Sequence, residues 1–232
     1  MEDIAKNLET VRAKIKSAAV RAGRDPGSVT LIAVSKTKPV EMIEAAMAAG
    51  QTVFGENRVQ ELRDKYDALE GRAVFHQIGG LQKNKVKYLI GRAALIESVD
   101  SRELAAEISR LSQKNGVTTD ILIQVNIGRE PQKSGVDPDE AENLVRFCSE
   151  TPAVRVRGLM AIPPKCENPE DARPYFKEMY SLFLDIKSKN IDNIYMDTLS
   201  MGMTNDFEVA VEEGSTAVRV GTAIFGKRDY MI

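Results

Sequence analysis

The sequence of 232 residues has one histidine, two cysteines and no tryptophan, and its 32 Lys and Arg residues nearly balance its 34 Asp and Glu residues. One histidine excludes a histidine-rich metal site, and two distant cysteines cannot form a four-thiolate zinc site. The balanced charge leaves no basic surface, so nucleic acid is not an expected partner. No apolar run approaches the roughly 20 residues that cross a bilayer, and the N-terminus lacks the apolar core of a signal peptide. We therefore expect a cytoplasmic protein with no membrane segment.

Short β-rich runs alternate with longer helical patterns after an N-terminal helix that ends near Gly23. The first run, Val29 to Val34, is almost continuously apolar, as strands buried in parallel sheets are. Pro39 suits the start of the following helix, and Gly50 suits its C-terminal cap. The remaining strands are predicted at Thr52–Phe54, Val74–Ile78, Leu95–Ser98, Asp120–Val125, Arg157–Ile162, Tyr195–Leu199 and Ala217–Val220. Further helices are predicted near 57–68, 82–89, 101–115, 137–149, 170–189 and 204–213.

This alternation predicts an α/β protein with a parallel sheet. Eight units of about 25 residues match a (β/α)8 barrel, or TIM barrel, which typically takes about 250 residues; the N-terminal helix is an addition to it. A doubly wound open sheet is the alternative, because it has the same order of strands and helices. No Gly-, Ser- or Pro-rich linker divides the chain, so residues 1–232 are expected to form one domain. In a barrel, functional residues should follow the carboxyl ends of the strands.

The first strand leads directly to a lysine. Lys36 follows the run LIAVS, so its amine emerges where the strand leaves the core. Desolvation in a low-dielectric barrel mouth disfavours the ammonium form, and a neutral amine can attack an aldehyde. Alternatively, Lys36 extends its charged end into solvent at the rim and does no chemistry.

Two further strands contribute polar residues near the predicted barrel mouth. Asn57 follows strand two and offers both a donor and an acceptor, although Asn is also common as a helix cap. His76 lies in strand three, where a lone histidine more often has a structural role. No serine or cysteine nucleophile is evident beside it, so a catalytic triad is not expected.

The loops after strands seven and eight have the composition of an anion site. Ser200 and Gly202 belong to a Ser-x-Gly turn before a helix, and Gly221 and Thr222 follow strand eight. Backbone N–H groups, hydroxyls and a helix dipole favour phosphate, which barrels frequently bind at these two loops. Two ordinary glycine turns are the alternative. Met201, inside the first turn, suits either a ligand contact or core packing.

Arg219 lies inside the last strand, between Val218 and Val220. If the two valines meet the outer helices, alternation points the arginine into the barrel, where it needs a partner. A lysine for an aldehyde, loops for a phosphate and an inward arginine together suggest pyridoxal 5′-phosphate (PLP), with the arginine at the ring nitrogen. Because arginine keeps its proton, such a site would bind PLP firmly but weaken it as an electron sink.

Motifs spread over nearly the whole chain resemble the YggS/PROSC family of pyridoxal-phosphate-binding homeostasis proteins, and they occur in the family's order. They are AVSKTKP (33–39), FGENRVQE (54–61), HQIGGLQKNK (76–85), VNIGREPQKSG (125–135), RGLMAIPP (157–164) and LSMGMTNDFEVAVEEGSTAVRVGTAIFG (199–226). The resemblance implies a fold-type III barrel similar to the N-terminal domain of alanine racemase.

The resemblance also implies roles for the candidate site residues. Lys36 would carry PLP as an internal aldimine, Arg219 would meet the ring nitrogen, and Asn57 would lie near the phenolic oxygen. Met201 would line the site, and His76 would lie close to it. The phosphate would be held by Ser200, Gly202, Gly221 and Thr222.

The family is thought to buffer and deliver PLP, which affects vitamin B6 and amino-acid balance, so we expect a PLP carrier without a settled catalytic activity. Racemases of fold-type III add a C-terminal β domain, whereas this chain is expected to end soon after strand eight. Racemisation needs an acid or base on each face of the substrate carbon, and Tyr230 is a poor second group beside Lys36. We expect a monomer that supplies PLP-dependent apo-enzymes. The alternatives are a PLP-dependent racemase of low activity and a barrel aldolase that uses the lysine without a cofactor.

Overall fold

The order of strands and helices follows the predicted alternation. The computed structural model of the protein describes residues 3–226. The strands are β1 (Thr30–Val34), β2 (Val53–Glu56), β3 (Val74–Gln77), β4 (Ala93–Val99), β5 (Thr119–Val125), β6 (Val154–Ala161), β7 (Ile194–Met203) and β8 (Ala217–Val220). The α-helices are α1 (Ile4–Arg21), α2 (Val40–Ala48), α3 (Val59–Ala68), α4 (Arg102–Lys114), α5 (Ala141–Ser149), α6 (Arg173–Ser188), α7 (Phe207–Glu212) and α8 (Thr222–Phe225). Short 3-10 helices span Pro26–Ser28, Lys83–Tyr88, Pro138–Glu140 and Pro169–Ala172.

The strands are parallel and close into a barrel in chain order, because β8 pairs with β1 as well as with β7. In the β1–β8 ladder, Thr30 lies opposite Ala217 and Ile32 lies opposite Arg219. This closed architecture confirms the predicted TIM barrel and excludes the open sheet. Closure also places the residues that follow β1 beside those that follow β8.

Side chains alternate between an outer and an inner layer along the strands. Outward residues such as Phe75 and Val220 pack with the helices in the main hydrophobic core. A smaller apolar cluster of Leu95, Leu122 and Met160 is separate from that core. Buried polar side chains share the inward strand positions with this cluster: Glu97, Gln124, Ser200 and Arg219. The barrel interior is therefore partly polar, and this part lies toward the carboxyl ends of the strands.

The N-terminal helix α1 packs on the outside of the barrel against α2, α7 and α8. Its buried residues include Leu8, Val11 and Ile15, at the spacing of one helix face. Since α8 has only four residues, it is too short to cover the junction of β1 and β8. The 18 residues of α1 therefore take the position of an outer helix at this junction.

Two predicted segments differ in the structure. Residues 83–88 form a 3-10 helix, because Val86 is the one buried residue of that segment and an α-helix there would bury no apolar stripe. β7 continues to Met203 and does not end at Leu199, because Ser200 and Met203 both pair with β8. The predicted Ser-x-Gly turn is thus the end of a strand, and α7 begins only at Phe207.

Residues 227–232 lie outside the described part of the chain, so the interpretation of Tyr230 stays a sequence-based one. Within residues 3–226, no helix has both the length and the apolar character that crossing a bilayer requires. Most of the candidate site residues lie at the carboxyl ends of the barrel strands.

Gly158 occupies a position with no room for a side chain. It lies in β6 opposite Thr198 of β7 with a φ of +147°, and a Cβ there would overlap the Thr198 carbonyl oxygen. We expect Gly158→Ala to lower the free energy of unfolding by about 3 kcal/mol or more, because the two strands would have to separate. Urea unfolding measures the change. Gly80→Ala is the control, since a Cβ added at Gly80 would have no atom within 4 Å. Equal effects of the two substitutions would contradict the prediction.

Candidate functional site

A cavity of about 780 Å³ lies at the carboxyl ends of the strands, where (β/α)8 barrels carry their functional sites. Five of the nine predicted site residues line it: Lys36, Asn57, Arg219, Gly221 and Thr222. Another part of the wall comes from the loops after β5 and β6, through Gln132, Lys133, Ser134, Pro163, Pro164, Lys165 and Cys166. The loop after β5 thus belongs to the site, although the sequence predicted no role for it.

Lys36 comes two residues after β1, and Gly221 comes directly after β8. The two loops are neighbours because the strands pair, and a Cβ on Gly221 would lie 3.2 Å from the Val34 carbonyl oxygen. Glycine therefore allows the β8 loop to lie close against β1. Gly221 caps α8, so the N–H groups of Thr222 and the next residue belong to a first helical turn, where intrahelical acceptors are missing. The Lys36 amine and the N–H groups at the start of α8 consequently share one cavity.

The other four predicted residues do not line the cavity within the described chain. Met201 is completely buried in the outer hydrophobic core, so its side chain faces the helices. The cause is the continuation of β7, which alternates Met201 outward and Ser200 inward. Gly202 lies close to α7, since a Cβ there would be 2.5 Å from the Cβ of Ala210. In this structure, Gly202 thus serves the packing of β7 against α7.

Ser200 is connected to the cavity by a hydrogen bond from Arg219, and His76 is connected to Ser200 by the buried Glu97. Nδ1 of His76 lies 2.7 Å from Oε1 of Glu97, and the Ser200 hydroxyl donates to Oε2 of Glu97 at 2.6 Å. Arg219 donates through Nη1 to the Ser200 hydroxyl oxygen at 2.5 Å and through Nη2 to the Ala161 carbonyl at 2.9 Å. The four side chains form a continuous polar chain beneath the cavity, and Arg219 is the member that reaches it. Arg219 points inward because its neighbouring valines belong to the outer core.

Glu97 is the partner that a buried Arg219 requires. Burial alone would raise the pKa of Glu97, but the hydrogen bond and charge of His76, together with Arg219 and Ser200, hold that pKa below its ordinary value. Burial lowers the pKa of Arg219, and the nearby carboxylates of Glu97 and Asp206 oppose this. Sequence reasoning missed Glu97, although a glutamate inside the apolar run LIESV was a signal for a buried carboxylate.

A second buried carboxylate, Glu56, lies at the end of β2. Its Oε1 accepts hydrogen bonds from Lys65 Nζ and from the Ser35 hydroxyl, both at 2.7 Å. Its Oε2 is buried without a hydrogen-bond partner among the described residues. Burial raises the pKa of Glu56 to about 7, although Lys65 and Ser35 act to lower it. Sequence reasoning missed this residue too, since it considered only Asn57 after strand two.

The comparisons with known proteins identify the family. The sequence model of the alanine racemase N-terminal domain matches residues 4–229. A pyridoxal phosphate homeostasis protein of Aquifex aeolicus is 47% identical over 224 residues, which are 96% of this chain and 97% of that protein. The chain belongs to the pyridoxal phosphate homeostasis protein family. A further member of this family, from Escherichia coli K12, is 42% identical over 236 residues, with 99% of each chain covered.

Solved structures agree with this family membership. PipY of Synechococcus elongatus, a structure with PLP bound, has a TM-score of 0.84 and 34% identity, and the match covers 96% of this chain and 100% of PipY. A protein of Bifidobacterium adolescentis has a TM-score of 0.91 and 36% identity, over 96% of this chain and 94% of that one. Alanine racemase of Corynebacterium glutamicum shares the fold, with a TM-score of 0.74 and 16% identity. The match covers 97% of this chain and 61% of the racemase chain. The predicted family and its racemase-like barrel are confirmed.

Removal of the Glu97 carboxylate should destabilise the folded barrel of this protein. We expect Glu97→Ala to lower the free energy of unfolding by about 3 kcal/mol or more, because the buried guanidinium of Arg219 would lose its carboxylate. Urea unfolding near neutral pH measures this change. Glu107→Ala is the control, since it breaks an exposed pair with Arg110 and should have little effect. A loss at Glu97 no larger than that at Glu107 would show that Arg219 does not depend on it.

Glu56 should make the stability depend on pH. Its pKa is raised on folding from 4.5 to about 7, so the folded chain keeps this proton over a range where the unfolded chain has lost it. Between those two values the free energy of unfolding should fall as the pH rises, by up to about 1.4 kcal/mol per pH unit. Glu56→Gln should remove that fall in urea unfolding series across the same range. Parallel profiles of variant and parent would contradict the assignment.

Proposed function

We propose that this protein holds PLP as a Schiff base with Lys36 and takes part in intracellular PLP homeostasis and supply. Membership in the pyridoxal phosphate homeostasis family supports the role, and PipY, a relative with the same barrel, has been solved with PLP bound. The observation that carries the proposal is that Lys36, Arg219 and Thr222 line one cavity. An amine, a guanidinium and an anion-binding loop match the aldehyde, ring nitrogen and phosphate of PLP.

The donor set of the cavity fits this cofactor. When bound, PLP supplies an aldehyde for an amine and an aromatic ring that can accept electrons. Lys36 would hold the aldehyde carbon, while Gly221 and Thr222 would hold the phosphate through N–H groups and a hydroxyl. Two N–H groups of Arg219 donate to Ser200 and Ala161, and a guanidinium has five such groups, so others can face the ring nitrogen. Asn57 would lie near the phenolic oxygen.

Arg219 restricts the chemistry that this site would support. Its guanidinium remains protonated and therefore cannot protonate the ring nitrogen of the cofactor. A ring nitrogen without a proton is a weaker electron sink, and the site then favours holding PLP over stabilising a carbanion. Glu97 serves the same end, since it keeps the guanidinium charged and fixed by way of Ser200.

We therefore propose a carrier, which would act as a cytoplasmic monomer and deliver PLP to PLP-dependent apo-enzymes. Relatives that match over nearly their whole length are homeostasis proteins, as in Aquifex aeolicus, where 97% is covered. In contrast, alanine racemase of Corynebacterium glutamicum is covered over 61% of its length. Racemisation needs an acid or base on both faces of the substrate carbon, and Lys36 would supply one of them.

Lys36→Ala tests the covalent role of the lysine. The parent protein mixed with PLP should develop a visible absorption band that shifts on borohydride reduction, and the reduced adduct should map to Lys36 by peptide mass spectrometry. Lys36→Ala should lose the band, because Lys36 lies beside Gly221 and Thr222 at the β1–β8 junction, whereas the cavity lysines Lys133 and Lys165 belong to the loops after β5 and β6. Lys83→Ala, an exposed lysine outside the cavity, should keep it. An adduct that persists in Lys36→Ala would contradict the proposal.

The same preparations distinguish a carrier from an enzyme. Amino acids incubated with the loaded protein in deuterated water should keep their α-protons, and PLP should pass to an added apo-enzyme. Steady α-proton exchange that disappears in Lys36→Ala would contradict the carrier and favour a racemase. A protein that turns over an aldol substrate with no visible band would favour the lysine aldolase.

A further inference from the structure

The loop that carries Lys36 is tied to the protein on both sides of the lysine. It comprises residues 35–39, between β1 and α2, and Ser35 and Thr37 are the neighbours of Lys36 in it. The Ser35 carbonyl accepts a hydrogen bond from Lys65 Nζ at 2.8 Å, and the Ser35 hydroxyl donates to Glu56 at 2.7 Å. These contacts hold the residue before Lys36 through both its backbone and its side chain.

The residue after Lys36 is held in an unfavourable backbone conformation. Thr37 has a φ of +64°, in the left-handed region that a β-branched residue rarely adopts. Its N–H donates to Oε2 of Glu61 at 2.9 Å. Strain of this kind persists only where surrounding contacts determine it, and it tends to occur at functional sites. The hydrogen bond from Thr37 is one such contact.

The three residues that make these contacts form one cluster, which we call the loop clamp: Glu56, Glu61 and Lys65. Lys65 Nζ lies 2.7 Å from Oε1 of Glu56 and 3.5 Å from Oε2 of Glu61. Glu61 and Lys65 are four residues apart on α3, so they lie on one face of that helix. Glu56 ends the strand that precedes it. The second βα unit of the barrel therefore supports the loop of the first.

Stability alone does not account for a clamp of this kind. The Lys65 side chain is 9% exposed and that of Glu56 is 0% exposed. Above pH 7, where Glu56 is ionised, the pair takes two charges out of water at a cost of several kcal/mol per ion, and apolar residues of similar volume are often as stabilising as a buried ion pair. The members of the loop clamp are also not among the cavity-lining residues of the described chain. Their hydrogen bonds to Ser35 and Thr37 connect them to the cavity residue Lys36.

We propose that Glu56, Glu61 and Lys65 are positioning residues that fix the backbone around Lys36 and so direct its amine into the cavity. This inference rests on the proposed function, in which the Lys36 amine reacts with the aldehyde of PLP. A lysine side chain has four rotatable bonds and loses much rotamer freedom when its amine is held at one point. A fixed backbone lowers the conformational entropy that is lost when the amine is oriented toward an aldehyde.

Substitutions in the clamp can separate positioning from stability. Lys65→Met removes the donor to Ser35 and leaves the Glu56 carboxylate without its cation, so it should also lower stability. The double variant Lys65→Met with Glu56→Gln removes both charges and should regain stability. The donor to the Ser35 carbonyl is absent from both variants. Asp64→Asn, on α3 in an exposed pair with Arg63, is the control.

The rate at which the visible band appears after mixing with PLP is the first measurement, with urea unfolding in parallel. We expect Lys65→Met and the double variant to react about tenfold more slowly than the parent, since misplacement of a reacting group commonly costs this much or more. The urea midpoint of the double variant should approach that of the parent. A double variant that reacts at the parental rate would overturn the proposal, because the pair would then serve stability alone.

Glu61 supplies a finer comparison. Glu61→Gln removes a charge but keeps an oxygen that can accept from Thr37, whereas Glu61→Ala removes the acceptor. Only Glu61→Ala should slow the reaction several-fold, by the same loss of orientation. Equal rates for the two variants would overturn the role assigned to the Thr37 hydrogen bond.

A measurement without PLP keeps this inference distinct from the proposed function. Reductive methylation with formaldehyde and a mild borane labels each lysine at a rate that peptide mass spectrometry can follow across a pH series. The rate profile of Lys36 relative to exposed Lys16 should shift in the double variant and stay unchanged in Asp64→Asn. An unchanged Lys36 profile in the double variant would overturn the positioning role. Absence of any visible band in the parent protein would instead refute the proposed function.

Discussion

Hydrogen bonding between β1 and β8 is the constraint on which the site depends. Lys36 comes shortly after one of these strands, and Gly221 and Thr222 come directly after the other. Because the two strands are neighbours in the closed barrel, one ladder brings the Lys36 amine and the loop of Gly221 and Thr222 to a common cavity. Helix α1 covers the junction from outside, where α8 is too short to do so. The pairing that closes the sheet therefore also places these residues beside one another.

Two buried carboxylates hold neighbours of the cavity residues, and their pKa values move in opposite directions. Glu97 lies among a histidine, a serine and an arginine, which together outweigh the effect of burial and lower its pKa. Glu56 is paired with Lys65, and there burial prevails and raises the pKa. The first carboxylate backs the arginine in the cavity, and the second belongs to the clamp on the lysine loop. One carboxylate inside the barrel and one between β2 and α3 therefore contact the residues that carry the cavity.

The strand order and several site residues were predictable because their signals are local. Apolar runs bounded by glycine and proline indicate strands without knowledge of their partners. Lys36 and Thr222 each come two residues after such a run. Alternation within AVRV indicated that the Arg219 side chain faces away from the side of the sheet that its neighbouring valines occupy. The extent of β7 was not predictable, because it depends on pairing with β8. That pairing decides that Met201 faces the helices and Ser200 faces the interior.

By itself the sequence determined the class of fold, the family, and which side chains stand near the ends of strands, since each rests on local pattern or on motifs along the chain. The tertiary structure alone decided that Glu97 joins His76 to Ser200 and that Lys65 reaches the loop of Lys36. A buried charge is visible in a sequence as a break in an apolar run. Its partner comes from another strand or helix, and the desolvation that sets its pKa depends on how the whole barrel packs around it.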